Sequence, residues 1–322
     1  MNSLEQLRQH TTVVADTGDF EQLLQFRPQD ATTNPSLVLK AVQSPRYLAL
    51  LERAVADHPG ASAGSVAEHL LVSFGIEILH LVPGRVSSEI DPRLSYDTPA
   101  SVASAQRLIA LYAAADIPRA RVLIKLAATW EGIQAARQLE AIGIHTNLTL
   151  VFCLAQAQAC ADAGVRLISP FVGRIYDWYK NAAGAGWDEG SQAGANDPGV
   201  RSVVEIFRHY QRHDIRTEVM AASFRNCGQI LALAGCDLMT ISPGLLAELA
   251  ASSAPVAAQL RPHEGELEPS PAALTQAGFE AALGANPMAS EKLRQGIAQF
   301  KADTEALEQM IRQQQQRTEP AA

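Results

Sequence analysis

Lysine is scarce in this chain: only Lys40, Lys125, Lys180, Lys292 and Lys301 occur in 322 residues. The formal net charge is −8, which argues against a nucleic-acid or anionic-membrane partner. Four cysteines, Cys153, Cys160, Cys227 and Cys236, form no CxxC pair or zinc spacing, so reduced thiols in a cytoplasmic protein are expected. No run of 18 apolar residues exists, and no transmembrane helix is expected. The opening MNSLEQLRQHTTVVADTG lacks a basic stretch followed by an apolar one, so it does not read as a signal peptide. Neither GxGxxG nor GxxxxGK[ST] occurs, which removes the usual nucleotide-binding turn. The eight histidines are scattered without HExxH or another metal spacing, and no metal is expected.

What is present is an alternation. The chain is 47% hydrophobic, ample for a well-buried core. TTVVAD (11–16), DATTN (30–34), GRVSSEID (84–91), RVLIKLAA (121–128), IHTNLTLVF (144–152), VRLISPF (165–171), TEVMAASF (217–224) and DLMTISP (237–243) read as strands. Helical patterns separate most of them: one entered through Pro35, others at 45–57, 68–82, 130–142, 154–163 and 198–213. Thr98-Pro99 reads as an N-cap followed by proline at the first helical position. Alternating strands and helices imply a parallel sheet. Eight such units in about 240 residues fit a closed (β/α)8 TIM barrel, expected as a single domain over 1–322. An open doubly wound sheet is the rival, disfavoured by the missing glycine-rich turn. Residues 181–199 read as a long loop, 261–275 as a proline-bearing one, and the chain from Ser290 as a long C-terminal helix whose glutamine run, 313–316, is a frayed end.

Barrel enzymes place their chemistry where strands end. Here those ends carry Asp16, Asn34, Glu89, Lys125, Asn147 with Thr149, Ser169, and Ser223 with Arg225. Asp16 or Asn34 alone could merely cap a helix, and Ser169 before Pro170 could be a turn residue. Capping does not account for Lys125, flanked by Leu123, Ile124 and Leu126. The two-residue strand period puts Leu123 and Lys125 on one face and Val122, Ile124 and Leu126 on the other. If the second face meets the helices, Lys125 points into the barrel.

A lysine attacks a ketone only as the neutral amine, and burial disfavours its charged form. The product is a Schiff base. Forming it expels water, which needs a proton shuttle, and breaking an adjacent carbon–carbon bond needs a base for a hydroxyl proton. Asp16 and Glu89 are available for these roles. The protonated imine is itself the electron sink, so no cofactor is required.

The stretches TTVVADTGDF, DATTNPSL, LVPGRVSSEIDPRLSYDT, VLIKLAATWEGIQAA, LISPFVGRIYDWYK, MAASFRN and AGCDLMTISP closely resemble the transaldolases of the pentose phosphate pathway, of the dimeric bacterial and eukaryotic type. The resemblance runs from about residue 11 to 243, more weakly through GFEAALGANPMASEKLRQGI. It implies Lys125 as the Schiff-base lysine and Glu89 as an acid/base working through a water that Thr149 helps to hold. It implies Asp16 as the base of cleavage, Asn34, Asn147 and Ser169 as holders of a dihydroxyacetone unit, Arg174, Ser223 and Arg225 as the phosphate set, and Phe171 as channel lining. The reaction implied is transfer of that unit from sedoheptulose 7-phosphate or fructose 6-phosphate to glyceraldehyde 3-phosphate or erythrose 4-phosphate, by a cytoplasmic homodimer without cofactor. Ala128, often serine in the family, and a loop 181–199 without the expected charged run are departures.

Three other readings compete. A lysine-dependent aldolase would release the three-carbon product to water; a glutamate at position 89 favours transfer. A retaining glycosidase would use Asp16 and Glu89 as its carboxylate pair. A noncatalytic sugar-phosphate binder would need neither carboxylate. Two motif matches are decoys. Gly60-Ala61-Ser62-Ala63-Gly64 fits GxSxG but follows a helix and Pro59 instead of a strand. Asn147-Leu148-Thr149 fits a glycosylation sequon but lies inside a strand.

Overall fold

A computed structural model describes residues 1–318. Eight parallel strands close into a barrel in chain order. They are β1 (Thr12–Asp16), β2 (Asp30–Thr32), β3 (Val86–Glu89), β4 (Val122–Ala127), β5 (Thr146–Val151), β6 (Leu167–Pro170), β7 (Glu218–Ala221) and β8 (Leu238–Ile241), with β8 pairing back onto β1. The alternation seen in β4 holds throughout. Leu123 packs inside the barrel with Val14, Leu167, Met220 and Leu238. Val122, Ile124 and Leu126 join the larger core between barrel and helices. One face of each strand thus fills the barrel and the other seats the helical ring.

The helices begin where local chemistry satisfies their first N–H groups. Asn34 accepts from Leu37 N at 2.9 Å and Thr129 from Gly132 N at 2.9 Å. The helix Thr98–Ala114 starts one residue earlier than Thr98-Pro99 suggested. Asp97 is its cap, accepting from Ala100 N at 2.9 Å, and Thr98 Oγ1 instead donates to Glu131 O at 2.9 Å. Ser62 of the GxSxG decoy caps the helix Ala63–Leu81. The long loop is shorter than expected, because the helix Val172–Ala183 runs into it. Residues 252–275 are irregular.

The C-terminal helix Pro287–Thr318 buries Leu293, Ile297, Phe300, Thr304, Leu307 and Ile311. That three-and-four spacing gives one continuous stripe. The glutamine run is not frayed: it stays helical, and Gln315 Nε2 donates to Ala61 O at 2.9 Å. Ser36 donates to Asp303, and Arg93 pairs with Glu308, so the helix is fastened to the barrel's helical ring at several points.

The opposite, N-terminal end of the barrel is closed by charge. Arg85 Nε meets Asp30 Oδ2 at 2.8 Å, and its Nη1 reaches Glu218 Oε2 at 2.8 Å, linking the start of β2 to the start of β7. Arg166 adds a contact to Glu218 at 3.2 Å. Removing one partner of such a pair leaves a buried charge uncompensated. Arg85→Met is expected to lower stability by about 2 kcal/mol, since the site is only partly shielded from water. Urea unfolding measures it, and an unchanged midpoint would contradict the bridging role.

Candidate active site

The C-terminal ends of the strands surround a cavity of about 200 Å³. Asp16, Asn34, Lys125, Thr149, Ser169, Phe171, Arg174, Ser223 and Arg225 all line it. Register explains much of this gathering. Glu89, Lys125 and Asn147 are paired neighbours across β3, β4 and β5, and Asp16 is paired with Thr32 across β1 and β2. Neighbours in parallel register present their side chains to the same face, so one layer of the barrel carries a carboxylate, an amine and an amide side by side.

Lys125 is 5% exposed and Glu89 4%. The lysine Nζ lies 3.1 Å from Glu89 Oε2 and 3.5 Å from Thr33 O. The approach to Glu89 Oε2 is off the hydrogen-bonding directions, and that oxygen has no hydrogen-bond partner among the described residues. Burial pushes the Glu89 carboxyl above its usual range, opposed by the positive charges of Lys125 and Arg174. Asp16 is also raised, first by burial, against Lys125, a Thr32 hydrogen bond and Arg174. Thr32 Oγ1 donates to Asp16 Oδ1 at 3.1 Å and lies 3.0 Å from Thr240 Oγ1. Burial thus moves both acids the same way, so each keeps a proton to higher pH than an exposed carboxyl does.

Two of the residues named from sequence do not touch the cavity wall. Glu89 lies beside it, lining a hollow of about 10 Å³ that the cavity's Phe300 also borders. Asn147 is fully buried beneath: its Nδ2 donates to Ser87 Oγ at 3.0 Å, and its Oδ1 accepts from Ser169 Oγ at 2.7 Å. Thr149 Oγ1 is buried without a hydrogen-bond partner among the described residues. The residue after it, Leu150, has φ +58, and the β5–β6 register shifts between Leu148 and Val151. A bulge of this kind re-aims side chains beside an active site.

At the other end of the cavity sit two arginines. Arg174 makes no ion pair or hydrogen bond among the described residues. Its guanidinium lies 5.1 Å from the Phe171 ring and 5.5 Å from the Phe300 ring. Burial, then the neighbouring Arg225, lower its pKa. Arg225 is held differently: Nη2 reaches Asp177 Oδ2 at 2.7 Å, and Nη1 donates to Ser223 O at 3.1 Å. Ser223 has φ +63, a conformation that non-glycine residues rarely adopt outside sites that require it. Gly173 makes room for this turn, because a Cβ there would lie 2.2 Å from Ser223 O.

A family model described as Transaldolase/Fructose-6-phosphate aldolase matches residues 13–311. The chain belongs to the transaldolase/fructose-6-phosphate aldolase family. A curated protein from Methylibium petroleiphilum, named Transaldolase, is 57% identical over 311 residues, covering 96% of this chain and 98% of that protein. Of the family's two activities, the relative carries the name of the transferase, and the aldolase reading is not favoured. The (β/α)8 barrel and its long terminal helix accord with the family. Thr32, Thr240, Ser242 and Phe300 also line the cavity and escaped the sequence reading. Strand alternation offered a signal for Thr32, which follows Asp30 by two, and for Thr240, which follows Leu238 by two. Phe300 offered none, since its contacts cross the whole barrel mouth.

Proposed function

We propose that the chain is a transaldolase that works through a Schiff base on Lys125. The observation that carries this reading is a single buried amine at a barrel mouth, 3.1 Å from one high-pKa carboxyl and facing a cavity that an unpaired arginine also enters. Glu89 takes a proton from Lys125, and the freed amine attacks the ketose carbonyl. Glu89 then gives the proton to the departing hydroxyl, and water leaves. Thr149 and Glu89 hold that water between them; that neither Thr149 Oγ1 nor Glu89 Oε2 makes a hydrogen bond among the described residues supports this reading. Asp16 removes the proton of the hydroxyl on the far carbon of the bond to be broken, so that this carbon becomes the departing aldehyde. The bonding pair moves into the iminium, an aldose phosphate departs, and an enamine stays on Lys125. The same steps in reverse join the unit to the second aldose phosphate, with Asp16 returning its proton.

Ser169, anchored by Asn147, and Asn34, whose Oδ1 caps a helix and leaves Nδ2 uncommitted among the described residues, hold the hydroxyls of the three-carbon unit. Arg174, Ser223 and Arg225 receive the phosphate, where guanidinium donors give charge-assisted bonds. Phe171 forms the channel wall between them and Lys125. The test is steady-state transfer from fructose 6-phosphate to erythrose 4-phosphate. Double-reciprocal lines should be parallel, and free dihydroxyacetone should not accumulate. Intersecting lines, or stoichiometric dihydroxyacetone, would refute transfer.

Arg174→Ala is expected to raise KM for both phosphorylated substrates about 10- to 100-fold, since a hydrogen bond between charged groups contributes about 1.5–3 kcal/mol. The kcat should move much less. Loss confined to kcat would place Arg174 outside phosphate binding.

A further inference from the structure

Phe300 is the one aromatic side chain that the C-terminal helix brings to the barrel mouth. It is 3% exposed. Its ring centre lies 5.9 Å from Lys125 Nζ and 5.5 Å from the Arg174 guanidinium. It borders two spaces at once: the cavity of about 200 Å³ and the hollow of about 10 Å³ beside Glu89. The smaller space suits one water molecule and no more. Residue 296, one turn before Phe300, is glycine, and a Cβ there would lie 2.6 Å from Leu150 Cδ2 and 3.1 Å from Arg174 Nη1.

We propose that Phe300 is a specificity-determining residue of this site, which walls the enamine carbon off from water and so commits the three-carbon unit to transfer. The inference rests on the Schiff-base reading of Lys125. After cleavage, Asp16 holds the proton taken from the substrate hydroxyl, and the enamine carbon carries the electron pair of the broken bond. Two fates are open. In transfer, that pair attacks the acceptor's aldehyde carbon, a carbon–carbon bond forms, and the new alkoxide takes the proton from Asp16. In the idle branch, a water relays the proton from Asp16 to the enamine carbon, regenerating an iminium. Water then adds to its carbon, the C–N bond breaks with the pair going to Nζ, and dihydroxyacetone departs. Both branches finish with imine hydrolysis, so water must reach the imine carbon on the Glu89 side. Only the idle branch needs water on the substrate side, over the enamine carbon. Phe300 borders both spaces, so its ring covers the enamine carbon on the substrate side and leaves the Glu89 side open to the hydrolytic water.

The test uses the full-length protein and fructose 6-phosphate. Dihydroxyacetone release without acceptor is compared with transfer to erythrose 4-phosphate, and the readout is their ratio. Phe300→Ala should raise that ratio about tenfold by admitting water, and Phe300→Leu should raise it less. Phe300→Leu, which keeps an apolar side chain of smaller cross-section at the same place, decides the matter if the alanine variant does not fold. Borohydride reduction with fructose 6-phosphate accompanies each assay. An adduct on Lys125 with an unchanged ratio, both branches falling together, would overturn the role of Phe300 alone and leave it a packing residue. No adduct in the unaltered protein would overturn the Lys125 reading and this one with it.

Discussion

Lys125→Met is expected to lower turnover by about four orders of magnitude or more, because no other group in the cavity wall can form the iminium. Asp16 and Glu89 remain, but a free carbonyl is a far weaker electron sink than a protonated imine: the bonding pair must end as a negatively charged enolate instead of a neutral enamine. Mass analysis after borohydride reduction with fructose 6-phosphate should find the three-carbon or six-carbon adduct on Lys125 in the parent protein and on no residue in the variant. An adduct at Lys180, or retained turnover, would contradict the assignment. The fold should survive. Losing one partner of a buried ion pair usually costs about 3–5 kcal/mol, because the other is left charged. Glu89 has an alternative, since burial already raises its pKa and removing the lysine raises it further, so it goes neutral by binding a proton. The stability deficit of Lys125→Met should therefore be small in mild acid and grow as pH rises and Glu89 must ionise alone.

The barrel was legible because its signals are local and repeated. Most strands announce themselves by a short apolar run and many helices by a cap or proline, though Val172–Ala183 has neither, and the placement of Lys125 follows from a period of two between Leu123 and itself. The gathering of most of the named residues around one cavity was legible too, because residues at strand ends converge when the barrel closes. What was not legible lies across the sequence from its partners. Phe300 reads as one more apolar position in a helical stripe, and only the docking of Pro287–Thr318 makes it a wall of the cavity. Asp177 drew no assignment from the sequence, yet it lies on the helix Val172–Ala183 and fixes one side of Arg225. The bulge at Leu150 has no glycine to mark it. Asn147 shows the converse. The sequence reading placed it at a strand end in direct contact, but it is the second residue of β5 and its amide is engaged by Ser87 and Ser169, so its influence passes through Ser169.

Asp16→Asn should separate the two halves of the chemistry and move activity and stability in opposite directions. The amide cannot take the hydroxyl proton, and losing a positioned base typically lowers a rate about 10²–10⁴-fold. Schiff-base formation depends on Glu89 and Lys125 instead, so borohydride should trap the intact six-carbon ketose on Lys125 in this variant. Stability follows from the sign of the shift. Asp16 has a folded-state pKa raised above its unfolded value, chiefly by burial. A group shifted that way stabilises the fold fully below the ordinary carboxylate pKa of about 3.9, and loses that contribution as pH rises through the raised folded value. Above the ordinary carboxylate range this titratable group therefore makes the parent less stable than a neutral side chain in its place would. Asparagine supplies one of similar size, and its amide oxygen still accepts from Thr32. The variant's melting temperature should exceed the parent's at pH 7 to 8, and the gap should close as pH falls toward the ordinary carboxylate range. A variant less stable than the parent at neutral pH would mean that the charges of Lys125 and Arg174 outweigh burial at Asp16. The carboxylate would then be ionised at lower pH than the burial argument gives, and a weaker base for the cleavage step.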